Sequence, residues 1–166
     1  SNKRLHCSVY TYRGANLPYT ETPMLDKGML NWLKMAMNAK GYGLRRFMRF
    51  GYDYMSKSLN PESRIKIENM NADVLFLAVK GDDCWPSDIA VPRMLKILEE
   101  CNYSHRVESH IYEKGSHALA DGLNEMHRIT KLLMKTMIPT EKKHPQECED
   151  ARRDSFTRII DFIEKW

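Results

Sequence analysis

The sequence of 166 residues lacks any hydrophobic run of the roughly 18 residues that a membrane-spanning helix needs, and no signal-peptide core follows its first residues. We therefore expect a cytoplasmic chain with no membrane partner. The four cysteines, Cys7, Cys84, Cys101 and Cys148, show no CxxC spacing. A chain of this length has no need of disulfides to hold its core, so we expect reduced thiols and no structural zinc.

A strong excess of charge of one sign is also lacking. The 26 basic and 22 acidic residues leave a formal net charge of +4 without a polybasic block, so we expect no nucleic-acid partner. Five histidines show no paired spacing for metal ligation, and we predict no metal and no cofactor: they are His6, His105, His110, His127 and His144.

The most informative segment is an unbroken apolar run from Val74 to Val79 that leads into the acidic turn Lys80-Gly81-Asp82-Asp83-Cys84-Trp85-Pro86-Ser87. Such a run is typical of a buried parallel strand. Pro86 fits the first turn of a following helix. The apolar face of that helix is predicted to carry Val91, Met94, Leu95, Leu98 and Cys101.

A second strand-like segment runs from about Arg106 to Tyr112 and ends in a Gly-Ser turn that carries His117. A strand, a helix and a strand of this length form a βαβ crossover, which brings the carboxyl ends of two parallel strands to one edge of the sheet. Reactive groups gather at that edge in open α/β sheets. The sequence thus predicts an α/β fold with parallel strands flanked by helices.

Asp82 and His117 are candidates for the acid and the histidine of a hydrolase triad. In a triad a carboxylate orients the imidazole, so that one ring nitrogen can take the proton of the nucleophile. The acid precedes the histidine, as it does in α/β-hydrolases. The structural alternative is a helix N-terminal cap for the aspartate pair and a solvated loop position for the histidine.

Residues 1 to 60 form a separate region in this interpretation. Residues 5 to 23 are rich in turn residues and are expected to be surface loop, and helical spacing then extends from Met24 to about Lys40 and from Arg45 to Leu59. These helices are either a packed helical insertion or a lid over an acyl pocket, which adaptable side chains would line. The candidate lining residues are Trp32, Met35, Phe47, Phe50 and Tyr54.

Residues 61 to 166 carry the α/β pattern. After His117 we predict a helix from about Leu123 to Met137, a polar stretch from Pro139 to Asp150 and a last helix. An apolar stripe of that last helix is suited to lying on a sheet face. The stripe consists of Phe156, Ile159, Ile160, Ile163 and Trp166.

The acidic motif with its Trp85-Pro86-Ser87 ending resembles the acid-bearing strand end of the acyl-CoA thioesterase and bile acid-CoA:amino acid N-acyltransferase C-terminal domain family. Residues 8–19, 65–70 and 151–156 resemble further segments of that family. The resemblance implies the C-terminal half of an α/β-hydrolase fold and a small-molecule acyl-CoA or acyl ester substrate. It also implies that the triad acid is Asp82 and the histidine His117, with Asp83 as the alternative acid because the doubled aspartate leaves room for a slip of one residue.

The sequence contains no Gly-x-Ser-x-Gly pentapeptide and no cysteine version of it, although an α/β-hydrolase nucleophile sits in such an elbow. Neither Cys7, Cys84, Ser87 nor Ser116 occupies a position of that kind. We therefore predict that the serine or cysteine nucleophile and the oxyanion hole lie on a missing N-terminal segment, and that this chain alone is inactive.

Two functions follow from these patterns. In the first, the parent protein is an acyl (thio)ester hydrolase or acyltransferase in which His117 is the general base and Asp82 orients it. In the second, the chain is a non-catalytic α/β binding or assembly module. The apolar strand from Val74 needs a neighbour on its other edge, so we also expect pairing with the missing N-terminal half or self-association through an open sheet edge.

Overall fold

A computed structural model of the chain describes residues 8, 10–20, 28–43, 46–57, 59–119 and 121–165. The chain divides into two compact units, Ser1–Lys66 and Ile67–Trp166. His6, Cys7, Met24, Arg45 and Trp166, for which the sequence predicted roles or helix boundaries, lie outside the described residues.

Among its described residues, the first unit contains a short hairpin, two α-helices and a 3-10 helix at Pro61–Ser63. Strands β1 (Thr11–Tyr12) and β2 (Ala15–Asn16) are antiparallel within the segment expected to be loop. The two turn residues, Arg13 and Gly14, have positive φ angles of 50° and 80°, which match the twist that a two-residue hairpin turn requires.

The two helices of this unit are shorter than the helical spacing suggests. Helix α1 (Met29–Asn38) begins after Gly28, whose φ of 73° lies outside the helical region. Helix α2 (Phe47–Met55) ends at Ser56, whose hydroxyl donates to the Asp53 carbonyl at 2.8 Å. Both helices occupy the predicted positions, but neither extends over the predicted range.

The second unit is built on a parallel pair of strands. Strands β3 (Val74–Val79) and β4 (Val107–Tyr112) are in register from Val74 opposite Val107 to Val79 opposite Tyr112. Helix α3 (Ser87–Glu100) connects them. The α/β class with a parallel sheet, expected for the C-terminal part of an α/β-hydrolase fold, is therefore confirmed.

Helix α3 packs mainly through the predicted face. Val91 and Leu98 are buried there, while Met94 and Leu95 are half-buried. Cys101 was predicted on the same face, but it caps the end of the helix and is exposed.

The segment predicted as one helix from Leu123 to Met137 consists of two elements. A 3-10 helix covers Asp121–Glu125, and α4 covers Arg128–Met137. His127 interrupts the helix because its backbone is extended, with ψ at 145°, and its Nδ1 accepts a hydrogen bond from the Ile129 N–H at 3.4 Å.

The stretch from Pro139 to Asp150, for which the sequence predicted only a polar character between two helices, is itself largely helical. Helix α5 covers Pro139–Lys143, and α6 (Pro145–Glu164) already begins within that stretch. Each helix starts with proline, whose missing N–H has no role in a first turn, and each has a glutamate in that turn, where a negative charge is favourable.

The expectation that the apolar stripe of the last helix is covered is wrong within the described residues. Phe156 is 49% exposed and Ile163 57% exposed. The buried side chains of α6 belong instead to Cys148, Ala151, Arg152 and Ser155. The physical reason is that the parallel sheet has only two strands among the described residues, so it offers little surface to this stripe.

Both ends of β4 are bound to α6. The Tyr112 hydroxyl donates to Asp154 Oδ2 at 2.8 Å, and Arg106 Nη2 donates to the Phe162 carbonyl at 2.7 Å. Burial and the hydrogen bond to Asp154 raise the pKa of Tyr112. These contacts fix α6 alongside the strand that leads to His117.

Among the described residues, none of the helices combines the length and the apolar character that crossing a bilayer requires.

Candidate active site

The acid loop, residues 80–87, follows the carboxyl end of β3. Gly81 has a φ of 66°, a left-handed conformation that glycine adopts without strain, and it turns the chain directly before the aspartate pair. Asp88 Oδ2 accepts the Gly81 N–H at 2.9 Å, which fastens the turn to the first turn of α3. Asp82 is only 4% exposed.

The Asp82 carboxylate accepts hydrogen bonds at both oxygens. Its Oδ1 accepts the N–H groups of Cys84 and Trp85 at 2.8 and 3.3 Å. Its Oδ2 accepts the Ser87 hydroxyl at 3.1 Å and His117 Nδ1 at 2.9 Å. Three of the four donors come from the acid loop itself, so the local sequence orients the carboxylate.

The histidine loop, residues 113–119, follows the carboxyl end of β4. A Cβ at Gly115 would lie 3.2 Å from Val79 and 3.3 Å from Ala151, so only glycine fits there without movement of its neighbours. Ser116 is fully buried, and its hydroxyl accepts the Ala118 N–H at 3.1 Å. The His117 side chain, in contrast, is 43% exposed.

The contact between Asp82 and His117 defines the tautomer of the ring. A carboxylate only accepts hydrogen bonds, so His117 Nδ1 carries the proton in this contact. On the other side of the neutral ring, Nε2 then carries a lone pair and can accept a hydrogen bond or a proton. This is the arrangement in which an imidazole can take a proton from a third group.

Asp83, the alternative acid, has a different partner. It is 6% exposed, and its Oδ2 accepts both the backbone N–H and the hydroxyl of Thr140, at 2.9 and 2.6 Å. The structure thus brings Asp82, and not Asp83, to the histidine ring. Asp82 binds the histidine loop, whereas Asp83 binds Thr140 in the helix α5.

The same region contains a possible set of metal ligands, since Asp82, Cys84 and His117 offer ligand atoms within 4.8 Å of one another. This set is a poor metal site because four hydrogen-bond donors already engage the Asp82 carboxylate. Burial, followed by the charges of Asp82 and Asp83, raises the pKa of the Cys84 thiol to about 11 in the metal-free protein.

The candidate lid residues lie in the first unit, where three of them pack together. The Trp32 ring centroid is 5.1 Å from that of Phe50 and 5.3 Å from that of Tyr54. Trp32 is 3% exposed, so this cluster is the small core between α1 and α2. Met35 and Phe47 are half-buried. This packing gives the two helices a common core, which a packed helical insertion and a lid both require.

Sequence reasoning missed three hydroxyl residues that support the site: Ser87, Thr140 and Ser155. Nothing in the sequence indicated the hydrogen bond of Ser87 to Asp82. The Ser155 hydroxyl donates to the Leu119 carbonyl at 2.6 Å, two residues after His117. Thr140 and Ser155 lie far along the chain from the loops they contact, so no local pattern could have identified them.

One comparison with known proteins gives a match. A model of the family described as "BAAT / Acyl-CoA thioester hydrolase C terminal" matches residues 7–165, which is nearly the whole sequence. No curated protein and no solved structure matches the chain.

Proposed function

Because the chain belongs to the BAAT / acyl-CoA thioester hydrolase C-terminal family, we propose that it supplies the acid and the histidine of an acyl-transfer triad. Membership of the family supports the general class of function, which is acyl-CoA thioester hydrolysis or acyl transfer. The observation that carries the residue assignment is the 2.9 Å hydrogen bond between Asp82 Oδ2 and His117 Nδ1. In this proposal His117 is the general base and Asp82 the orienting acid.

The proposed reaction proceeds through an acyl-enzyme. His117 Nε2 takes the proton of a serine or cysteine nucleophile, which attacks the carbonyl carbon of the acyl thioester. The imidazolium then returns that proton to the leaving thiolate of coenzyme A, and Asp82 stabilises the charged ring in between. His117 next takes a proton from water or an amine, which attacks the acyl-enzyme, and returns that proton to the serine or cysteine as its bond to the acyl group breaks. The product is the free acid or the amide. The 43% exposure of the His117 side chain suits this contact with a nucleophile and a substrate.

We place the nucleophile on a segment of a longer parent protein that precedes these residues. The support is the lack of a nucleophile elbow in the sequence and the order of nucleophile, acid and histidine in α/β-hydrolases. The local alternatives are unsuitable. Ser116 is fully buried, the Ser87 hydroxyl is bound to the acid, and burial raises the pKa of Cys84 to about 11. The chain alone is therefore expected to be inactive.

Residues 1–60 are the proposed lid over the acyl chain, and residues 61–166 the proposed catalytic half. The aromatic cluster of Trp32, Phe50 and Tyr54 would give the lid its shape. Flexible apolar side chains remain available for an acyl chain, because Met29, Leu30, Met37 and Met48 are between 48% and 75% exposed.

Association through the open edge of the sheet is the second part of the proposal. Within the described residues β3 pairs with β4 alone, although its side chains are half-buried or buried throughout. The exposed apolar faces of α4 and α6 point to the same requirement for cover. We expect the parent's N-terminal half, or a second copy of the chain, to pair there. Mass measurement of the isolated chain tests pairing with a second copy. A stable monomer would contradict self-association and would leave the parent's N-terminal half as the proposed partner.

The triad assignment is tested in the parent protein with an acyl-CoA hydrolysis assay. His117→Ala is expected to lower kcat by about three orders of magnitude or more, and Asp82→Asn nearly as much, with the fold intact. Asp150→Asn and His105→Ala are controls, because these residues lie outside the two loops. Full turnover by either triad variant would overturn the assignment. It would then favour the alternative of a non-catalytic binding or assembly module.

The coding sequence upstream of Ser1 offers a second test. An open frame that carries a Gly-x-Ser-x-Gly elbow, or its cysteine version, supports the triad proposal. A start codon at this position supports the non-catalytic module.

A further inference from the structure

Asp83 is the next residue after the proposed triad acid, Asp82, yet its carboxylate binds Thr140 rather than His117. Its Oδ2 accepts two hydrogen bonds from Thr140, one from the backbone N–H at 2.9 Å and one from the hydroxyl at 2.6 Å. Both bonds are charge-assisted, and the aspartate is 94% buried. A contact of this strength fastens the tip of the acid loop to α5.

Helix α5 is itself fixed to α6. Glu141, the residue after Thr140, forms an ion pair with Arg152, and both residues are less than 10% exposed. Arg152 Nε also donates to Asn124 Oδ1 at 2.6 Å. Because a buried ion pair with further hydrogen bonds has few alternative arrangements, α5 has a defined position on α6.

Helix α6 in turn holds the histidine loop. The Ser155 hydroxyl donates to the Leu119 carbonyl at 2.6 Å, and Ala151 lies against Gly115. The contacts therefore form a closed path that leads from the acid loop through α5 and α6 to the histidine loop. The bond between Asp82 and His117 closes that path.

We propose that Asp83 and Thr140 are positioning residues, which set the distance between Asp82 and His117. The inference rests on the proposed function, since it assigns these residues a role in the same proton relay. The strand ladder fixes only the bases of the two loops, through the Lys80 N–H bond to the Tyr112 carbonyl at 2.8 Å. The loop bonds to Asp82 orient the carboxylate within its own loop. Asp83 and Thr140 instead fix the whole acid loop to α5, and α5 is fixed to α6, which holds the histidine loop.

The matched variants are Thr140→Val and Thr140→Ser in the 166-residue chain. Valine preserves the branched shape and removes the hydroxyl, while serine keeps the hydroxyl. The readout is the tautomer of the His117 ring from 15N NMR at a pH where the ring is neutral. We expect the ratio of Nδ1–H to Nε2–H tautomer to fall about tenfold in Thr140→Val, because one strong buried hydrogen bond is lost, and to stay unchanged in Thr140→Ser.

A destabilising variant elsewhere separates positioning from stability. Val91→Ala removes buried side-chain volume from α3, away from the path of contacts, and is expected to lower stability without changing the His117 tautomer. An equal tautomer change in Val91→Ala, or identical spectra for Thr140→Val and Thr140→Ser, would overturn the proposal.

Kinetics of the parent protein distinguish this proposal from the proposed function. We expect Thr140→Val to lower kcat roughly ten- to a hundredfold with little change in KM, and Thr140→Ser to retain activity. If the tautomer shifts while His117→Ala keeps full turnover, the positioning role stands and the triad fails. If His117→Ala is inactive while Thr140→Val matches the parent in tautomer and in kcat, the triad stands and the positioning role fails.

Discussion

The acid loop and the histidine loop supply one residue each to the same hydrogen bond, but they are built differently. Asp82 is 4% exposed and is held by donors that lie two, three and five residues further along the chain. His117 is 43% exposed at its side chain, and its loop is held by Gly115 packing and by Ser155 of a distant helix. The acid is part of the local architecture, whereas the histidine depends on tertiary contacts.

The difference between the two loops affects how each residue can be recognised in a sequence and how it tolerates substitution. A short motif is sufficient to orient the acid, so it can be recognised in a sequence. The His117 ring must exchange a proton at Nε2. Apart from the bond of Nδ1 to Asp82, the contacts that hold its loop are therefore made by neighbouring residues of the loop. Substitutions of Asp82 and of His117 should therefore lower the stability of the protein by different amounts.

The largest expected difference is in stability. Asp82→Ala removes the acceptor of two loop N–H groups and one of the two acceptors of the buried Ser87 hydroxyl, which we expect to lower the free energy of unfolding by about 3 kcal/mol. His117→Ala removes a partly exposed ring and is expected to cost less than about 1 kcal/mol. Urea unfolding of both variants checks this. Equal losses would show that the two loops are held alike.

A smaller effect is expected where the histidine loop packs between β3 and α6. Gly115→Ala places a methyl group 3.2 Å from Val79 and 3.3 Å from Ala151, and we expect a loss of about 1 to 2 kcal/mol. Gly122→Ala is the matched control, because a Cβ there has no neighbour within 4 Å. Thermal unfolding measures both. Comparable stability of the two variants would mean that tertiary packing does not hold the histidine loop.

The smallest effect on stability is expected from the thiol of the acid loop at alkaline pH. Burial, then the charges of Asp82 and Asp83, raises the pKa of Cys84 from 9.0 to about 11. A raised pKa favours the neutral thiol in the folded state, so its contribution to stability is present below pH 9 and is lost as the pH rises through about 11.

Alkylation by iodoacetamide, followed by mass spectrometry, measures this environment directly. Only the thiolate reacts. At pH 8 we therefore expect the alkylation rate of Cys84 to be at least about tenfold lower than that of the exposed Cys101, and we expect it to rise as the pH approaches 11. Equal rates at pH 8 would mean that the acid loop is open to solvent. Its local bonds would then not exclude water from the carboxylate.

The sequence was a reliable guide where structure depends on neighbours along the chain. The apolar run of β3, the proline before α3 and the two strand-end motifs all lie where the patterns place them. For residues 139–150 the sequence pattern predicted only a polar stretch. The prolines that begin α5 and α6 were not used there as helix start signals. Helix propensity and position at a first turn outweigh polarity in such a segment.

By itself, the sequence determined the family, the α/β class and the candidate acid and histidine, because strand periodicity and a short motif are local properties. Only the tertiary structure decided which of two adjacent aspartates meets the histidine. Asp82 and Asp83 are the same residue type in the same loop, and they differ only in the direction that the fold gives each side chain. One carboxylate reaches His117, and the other reaches Thr140, 57 residues further along the chain.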